Sequence, residues 1–444
     1  MSSAPLRGMA GGITRSSLPS SLREGLVLPS DPGYGQLRHT YSYRGSPAAV
    51  LHPRTAGAVV DALSYAAASA LPLSVRSGGH GISSASTNDG GIVLDLSAMN
   101  AVEVLDPGTG RVRIGAGARW GDAARALSPA GLAVSSGDSG DVGVGGLATA
   151  GGIGLMGRKH GLTIDSMAAA TIVTADGAVR TASAAENPDL FWAVRGAGAN
   201  FGIVTEFEFT AAKVPGVIST TVQYDTSDTT GFLQRWGDAV EAAPREMTAF
   251  LYLFAGSTAG MASIVYAGLD ADAARRALAP FLALAPLLGG QSQAMPYAEL
   301  VASPHAAHTG AVSLQTRSGL AVHLDAPIAV RLAGMVASGT AATLQIRAVG
   351  GRINDVDAGA TAYAHRHQNF SIFVGADPAH RGELWREWDG LHPHLDGLYL
   401  SFEMDKDPRR LADAFPTATL ARLRDLKAVY DPAGLFNTNF PLRA

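Results

Sequence analysis

The spacing of apolar residues divides this chain into two stretches of different character. In the first, an apolar run over Ala48–Leu51 leads into residues 54–70, where Val59, Val60, Leu63 and Tyr65 recur at helical spacing and predict an amphipathic helix. Leu71–Val75 follows as a short strand and completes a β-α-β opening. Gly91–Leu96, Ala101–Leu105 and Arg111–Ala116 read as further strands, the last two joined through Asp106-Pro107-Gly108, residues suited to a hairpin turn. A glycine-dense loop is expected from Gly137 to Gly161. Beyond it, Ala168–Thr174 and Ala178–Thr181 flank an Asp176-Gly177 turn, and Phe201–Phe209 alternates like a half-buried strand.

The pattern changes near Val214-Pro215-Gly216, where glycine clusters thin out and longer helices begin. Thr220–Tyr224, Thr248–Phe254, Met261–Tyr266, Thr343–Val349, Asn369–Val374 and Gly397–Glu403 read as strands. Gly231–Ala243 and Ala271–Leu284 read as helices, the second with Asp270 as N-cap. Such alternation predicts an α+β arrangement on one antiparallel sheet. Near the end, Leu420, Leu423 and Leu426 mark a helix over Thr417–Tyr430, stopped by Asp431-Pro432.

Composition narrows the chemistry. At 47% hydrophobic and 16% charged, the 444 residues can bury a sizeable core. The absence of cysteine excludes disulfides, thiolate catalysis and zinc–thiolate sites. A formal charge of −4 gives no reason to expect nucleic acid as a partner. No apolar run approaches the ~20 residues of a membrane span. Residues Met1–Arg23 lack the apolar centre of a secretory signal and are expected to be loose until about Leu26, so the reading is a cytoplasmic protein, monomer or homodimer.

The most informative short stretch is Val75-Arg76-Ser77-Gly78-Gly79-His80, followed by Gly81. Glycines permit close backbone approach, and consecutive N–H groups in such a turn can cradle an anion. The turn could hold a phosphate-bearing cofactor with His80 aimed at its ring, or be a surface turn with an incidental histidine. Gly152-Ile153-Gly154-Leu155-Met156-Gly157 has dinucleotide-fingerprint spacing, but no strand leads into it, so a Rossmann site is set aside. The pairs His305/His308 and His392/His394 lack the further ligands a metal needs and read as solvated or core histidines. Tyr363, His365 and His367 would share a face of an extended chain, as either a polar strand end or a substrate contact. Tyr399, Ser401 and Glu403 alternate with Leu398, Leu400, Phe402 and Met404, which predicts a strand with one wet or site-lining face.

Taken with these motifs, Gly91-Ile92-Val93-Leu94-Asp95-Leu96-Ser97, Val142-Gly143-Val144-Gly145-Gly146 and Gly151-Gly152-Ile153-Gly154 resemble the FAD-linked oxidases of the vanillyl-alcohol oxidase superfamily. Arg158-Lys159-His160-Gly161-Leu162, Asn187–Gly196 and Asn200-Phe201-Gly202-Ile203-Val204 add to the likeness, as do Leu426–Pro432 and Leu435-Phe436-Asn437. The branch is the one similar to berberine bridge enzymes and bacterial oligosaccharide oxidases. The resemblance implies a two-part PCMH-type FAD-binding domain, residues 1–213 and 415–444, with a substrate-binding domain inserted at 214–414. It implies FAD linked through His80 alone, because the position of a second, cysteinyl link is Ser139. Further cofactor contacts are expected from Arg76, Ser77, Gly78, Gly79, Gly81, Ser139, Val142, Gly143, Gly145 and Gly146. Gly151, Gly152, Gly154, Gly161, Asn200, Gly202, Ile203, Val204, Asn437 and Asn439 complete that set.

The expected activity is hydride transfer from a small alcohol, sugar or secondary metabolite to the flavin, then reduction of O2 to hydrogen peroxide. An oxidative cyclase of natural-product biosynthesis and a flavin-carrying binding protein are the alternatives. Tyr399 is the first candidate for base or hydroxyl anchor, with Glu403, Tyr363 and His367 behind it; Gln345, Arg347 and Ser401 are substrate-side candidates. No metal is expected.

Overall fold

Buried apolar triplets and quartets, rather than alternating strands, build the first sheet. The computed structural model describes residues 12–305, 308–405, 407–438 and 440–442. Ala49–Leu51, Leu73–Arg76 and Ile92–Asp95 lie parallel, with Ile92–Asp95 central, and Leu26–Val27 adds antiparallel at one edge. Parallel strands need a crossover, which the helix Ala56–Ala68 supplies; its N-cap Thr55 accepts from the Ala58 N–H at 3.2 Å. The chain packs earlier than its composition suggests: Leu18 and Leu22 are both buried, so the stretch before Leu26 is anchored.

A second, antiparallel sheet of five strands runs in the spatial order Val102–Asp106, Arg111–Gly115, Ile203–Thr210, Met167–Val173, Val179–Ser183. The expected Asp106–Gly108 turn is present, its Gly108 N–H donating to Asp106 Oδ1 at 2.8 Å. The glycine-dense stretch expected as a loop carries two short helices, Val144–Ala150 and Gly157–His160. Small side chains let Val144–Ala150 lie close against the helix Pro188–Ala197 and the strand Arg111–Gly115, a packing reason that overrides glycine's poor helix propensity, while Gly157–His160 lies against Gly351–Ile353 and the strand Met247–Phe254.

The third sheet has seven antiparallel strands. Their spatial order is Leu287–Met295, Val217–Asp225, Ala259–Tyr266, Met247–Phe254, Thr343–Ala348, Phe370–Ala376, Gln315–Ala321. Two of these, Leu287–Met295 and Gln315–Ala321, escaped the sequence reading because neither alternates: one is exposed on both faces and the other is buried on both. Register explains what the sheet does. Leu251, Ile346 and Ile372 sit side by side and face four helices, Thr229–Ala242, Ala271–Leu282, Ala326–Ser338 and Arg381–Leu391. Tyr252, Gln345 and Phe373 form the neighbouring row on the opposite face.

The stretch expected as a strand over Gly397–Glu403 is not one. Phe402 N–H donates to Tyr399 O at 3.0 Å and Glu403 N–H to Leu400 O at 3.3 Å, curling Leu400–Phe402 into a 3-10 turn. Tyr363–His367 likewise lies outside any strand. Among the described residues no helix is long and apolar enough to cross a membrane.

The helix Thr417–Tyr430 closes the structure as expected, and its end is a buried cationic knot. Lys427 Nζ donates to Asn200 O at 2.6 Å, Phe436 O at 2.6 Å and Asp431 Oδ2 at 2.7 Å, and Asp431 is fully buried. Asp431 also accepts from the Leu435 and Phe436 N–H groups. Removing one partner leaves an uncompensated buried charge, so Lys427→Ala is expected to destabilise the protein by about 3–5 kcal/mol. Urea unfolding of the variant against the parent measures this.

Candidate functional site

Two glycine turns meet first, and the cleft forms around their junction. Strand Leu73–Arg76 ends at a buried ion pair, Arg76 Nε to Asp95 Oδ2 at 2.7 Å, which fixes where the following turn begins. There Gly78 packs against Gly143 so closely that a β-carbon on Gly143 would lie 2.0 Å from Gly78 N. Ser77 Oγ ties the turns together, donating to Ala116 O at 2.6 Å and accepting from the Gly145 N–H at 3.1 Å. Gly79 has φ +69°, a left-handed conformation that suits glycine and turns the backbone toward the cleft. Among the described residues, the N–H groups of Gly78, Gly79, His80 and Gly81 find no protein acceptor. Successive free donors beside a left-handed glycine are what an anion nest requires.

The cleft has a volume of about 390 Å³, within the range of small-molecule sites. Of the residues singled out from sequence, Ser77 to Gly81, Ser139, Val142, Gly143, Gly145 and Gly146 line it. So do Asn200, Gly202, Ile203 and Val204, opposite them, and Gln345, Arg347, Tyr399 and Ser401 on the far wall. Asn200 is buried with its Oδ1 unpaired, an acceptor left waiting for a donor that the described residues do not provide. At Gly146 a β-carbon would meet nothing within 4 Å.

Several expected contacts lie elsewhere. Arg76 is behind the turn, in its ion pair. Gly151 and Gly152 back onto Tyr399: a β-carbon on Gly151 would lie 3.3 Å from that ring, and the Gly152 N–H donates to Tyr399 Oη at 3.2 Å. Gly154 abuts Ser136 and Gly161 abuts Asp165, so neither borders the cleft. Asn437 is exposed, its neighbours Phe436 and Thr438 lining the cleft instead; Asn439 lies outside the described residues.

The alternating face drawn through Tyr399, Ser401 and Glu403 breaks at its third member. Glu403 is fully buried away from the cleft between Arg317 and Arg410, accepting from the Ser318 N–H at 3.2 Å; burial raises its pKa. His367 is exposed and pairs with Asp396. Tyr363 is buried against Tyr399 behind the wall, and burial raises its pKa too. Glu403 lies outside the cleft because Leu400–Phe402 curls; Tyr363 and His367, on a segment outside any strand, do not line it either.

Periodicity missed one carboxylate that lines the cleft. Asp138 borders the cleft, and its Oδ2 accepts from Arg347 Nη2 at 2.8 Å and from Tyr252 Oη at 3.1 Å. Its Oδ1 has no protein partner among the described residues. Arg347 is held between Phe250 and Phe402 at 4.9 and 4.4 Å, and its Nε donates to Gln345 Oε1 at 3.1 Å. Burial and the Asp138 charge raise the Tyr252 pKa, so this phenol stays protonated and donates. The sequence signal was available: Gln345 and Arg347 share a strand face, and a buried arginine there demands a carboxylate.

At the other end, Tyr41 stacks on His80, ring centres 4.3 Å apart and 12° from parallel. Burial lowers the His80 pKa and keeps its imidazole neutral. His305 is exposed and His308 half-buried, and both also converge on Asp141; His392 pairs with Asp413 and His394 is exposed.

Comparison with known proteins bears on this geometry. Residues 47–183 match the FAD binding domain family. The (R)-6-hydroxynicotine oxidase of Paenarthrobacter nicotinovorans is 42% identical over 199 residues, 44% of this chain and 43% of that protein. The chain thus spans less than half of that relative's length. The FAD-linked oxidoreductase dpmaF of Metarhizium anisopliae is 30% identical over 440 residues, 90% of this chain and 84% of that one. Among solved structures, 6-hydroxy-D-nicotine oxidase from Arthrobacter nicotinovorans superimposes with a TM-score of 0.81 at 27% identity, covering 94% of this chain and 97% of that one.

The contact between the two turns leaves no room for a methyl group. Gly143→Ala is expected to lower stability by about 1–3 kcal/mol through overpacking. Gly146→Ala, in the short helix with open space around it, should leave the cofactor-free protein unchanged or up to about 1 kcal/mol more stable. Urea titration of both variants measures the contrast.

Proposed function

Because the chain belongs to the FAD-linked oxidoreductases, in the vanillyl-alcohol oxidase superfamily's branch similar to berberine bridge enzymes, we propose that it is an oxidase of a small alcohol, sugar or secondary metabolite. One observation carries this reading: one cleft is lined both by the acceptor-free N–H groups of the Gly78–Gly81 turn, with His80 among them, and by a half-free carboxylate, Asp138. FAD bound there supplies a two-electron acceptor that takes hydride from carbon and passes the electrons to dioxygen. Residues 1–213 and 415–444 serve as the FAD-binding part and 214–414 as the substrate-binding part.

The residues divide the work by chemistry. The Gly78–Gly81 N–H groups hold phosphate oxygens, Asn200 Oδ1 accepts a hydrogen bond from the cofactor, and His80 is the single covalent tether. A neutral, buried imidazole is nucleophilic, as attachment requires. Asp138 accepts the proton that leaves the substrate as its C–H bond breaks. Arg347 and Tyr252 hold one carboxylate oxygen, and the other is open to the cleft. Tyr399, with its hydroxyl already engaged by Gly152, shapes the wall, and Gln345 and Ser401 offer hydrogen bonds to substrate.

Acid precipitation tests the tether: yellow colour is expected to stay with the parent protein, and none with His80→Ala. Anaerobic mixing with a panel of alcohols, oligosaccharides, phenols and cyclic amines tests the reaction. One class is expected to bleach the flavin, and air to restore it promptly with formation of hydrogen peroxide. Slow restoration would instead place the protein with dehydrogenases or oxidative cyclases, and no bleaching by any class would leave a binding protein. Asp138→Asn is expected to keep its flavin and slow bleaching by about 10²–10⁴-fold, the usual worth of a general base.

A further inference from the structure

Of the paired histidines that the substrate reaction leaves unused, His308 stands beside His80. His308 Nε2 lies 3.3 Å from Asp141 Oδ2. A carboxylate only accepts, so Nε2 carries the proton and Nδ1 keeps a lone pair. That lone pair faces the His80 turn, since a β-carbon on Gly79 would lie 3.1 Å from His308 Nδ1. The two imidazoles meet edge-on, ring centres 5.8 Å apart and planes at 78°. Asp141 is itself immobilised: its Oδ1 accepts from Arg119 and lies 3.1 Å from His305 Nδ1. Carboxylate, histidine and nucleophile-bearing turn follow one another as in other activated nucleophiles.

We propose that His308, oriented by Asp141, is the proton acceptor for covalent attachment of the flavin to His80. The inference rests on reading His80 as the attachment point. In the step, the His80 N–H and one C–H of the ring methyl group break, and an N–C bond forms between His80 and that methyl carbon. The electron pair released reduces the isoalloxazine, and dioxygen then reoxidises it. Two electrons and two protons thereby end in one molecule of hydrogen peroxide. The imidazole proton leaves by way of His308 Nδ1, directly or through one water.

The surroundings make an acceptor necessary. Without one, attack by His80 creates an imidazolium that its partial burial disfavours, with Arg119 acting against that charge and Asp138 for it. Burial, reinforced by His80, Arg119 and Arg76, pushes the His308 pKa down to about 4, so its acceptor nitrogen is vacant at neutral pH. Tyr41, stacked on His80, is a positioning residue that holds the ring plane while the proton departs.

The test follows attachment, not turnover. The parent, His80→Ala, His308→Gln and Asp141→Asn are produced with FAD, and each is split by acid into covalent and released flavin. The parent is expected to be covalently loaded and His80→Ala to release all its flavin. His308→Gln should bind FAD yet attach it at least about tenfold more slowly. Added imidazole should speed it again, a rescue that a merely structural role would not produce. Asp141→Asn should also slow attachment. Attachment at the parent rate in His308→Gln overturns the proposal; if that variant retains no flavin, an undiminished rate in Asp141→Asn does so. A parent protein that releases all its flavin overturns the His80 reading instead.

Discussion

The cleft depends on two backbone segments lying closer than any side chain permits. Gly78 and Gly143 touch main chain to main chain, and a β-carbon on either would come within 2.4 Å of the other's nitrogen. That contact aligns strand Leu73–Arg76 with the helix Val144–Ala150, and Ser77 Oγ locks the alignment with one bond in each direction. The N–H groups beyond it then meet no protein acceptor among the described residues. An unpaired buried donor is costly, so the buried Gly78 and Gly79 N–H groups favour binding of an acceptor in the cleft.

Electrostatics organises the rest. Asp138 and Asp141 sit three residues apart on one loop, and each is met by an arginine from a different direction: Arg347 from the seven-stranded sheet, Arg119 from the helix start at Trp120. Each pairing holds one oxygen and leaves chemistry at the other. Glu403 shows the contrasting use of the same residues. With two arginines and backbone donors around it, it is wholly enclosed and joins Gln315–Ala321 to the segment that follows Tyr399. Identical charge pairs thus serve as tools or as struts according to whether one oxygen remains open.

Sequence reasoning recovered what local physics dictates. Helices with a capping oxygen and helical spacing, such as Ala56–Ala68 and Ala271–Leu282, were legible, as was the turn at Asp106-Pro107-Gly108. The glycine motifs were legible as a set, because the positions that need glycine are those where main chains touch. Strands without alternation were not, and Leu287–Met295 and Gln315–Ala321 went unseen. The alternation through Tyr399–Glu403 was real, yet it led to the wrong conformation, since a one-turn curl sends Glu403 to partners far away in sequence. The Gln345/Arg347 face signalled that a carboxylate was needed, but not that it is Asp138, 209 residues away.

The seven-stranded sheet has one more consequence. Along its central strands, core and cleft side chains alternate: Ile346 enters the helix-packed core between Gln345 and Arg347, and Ile372 beside Phe373, while Gln345, Arg347 and Phe373 line the cleft. Residues that meet a ligand and residues that hold the sheet together therefore occupy separate registers of the same strands. Mutational drift on the cleft register can alter the ligand without thinning the core, and related chains can diverge in specificity on an unchanging frame.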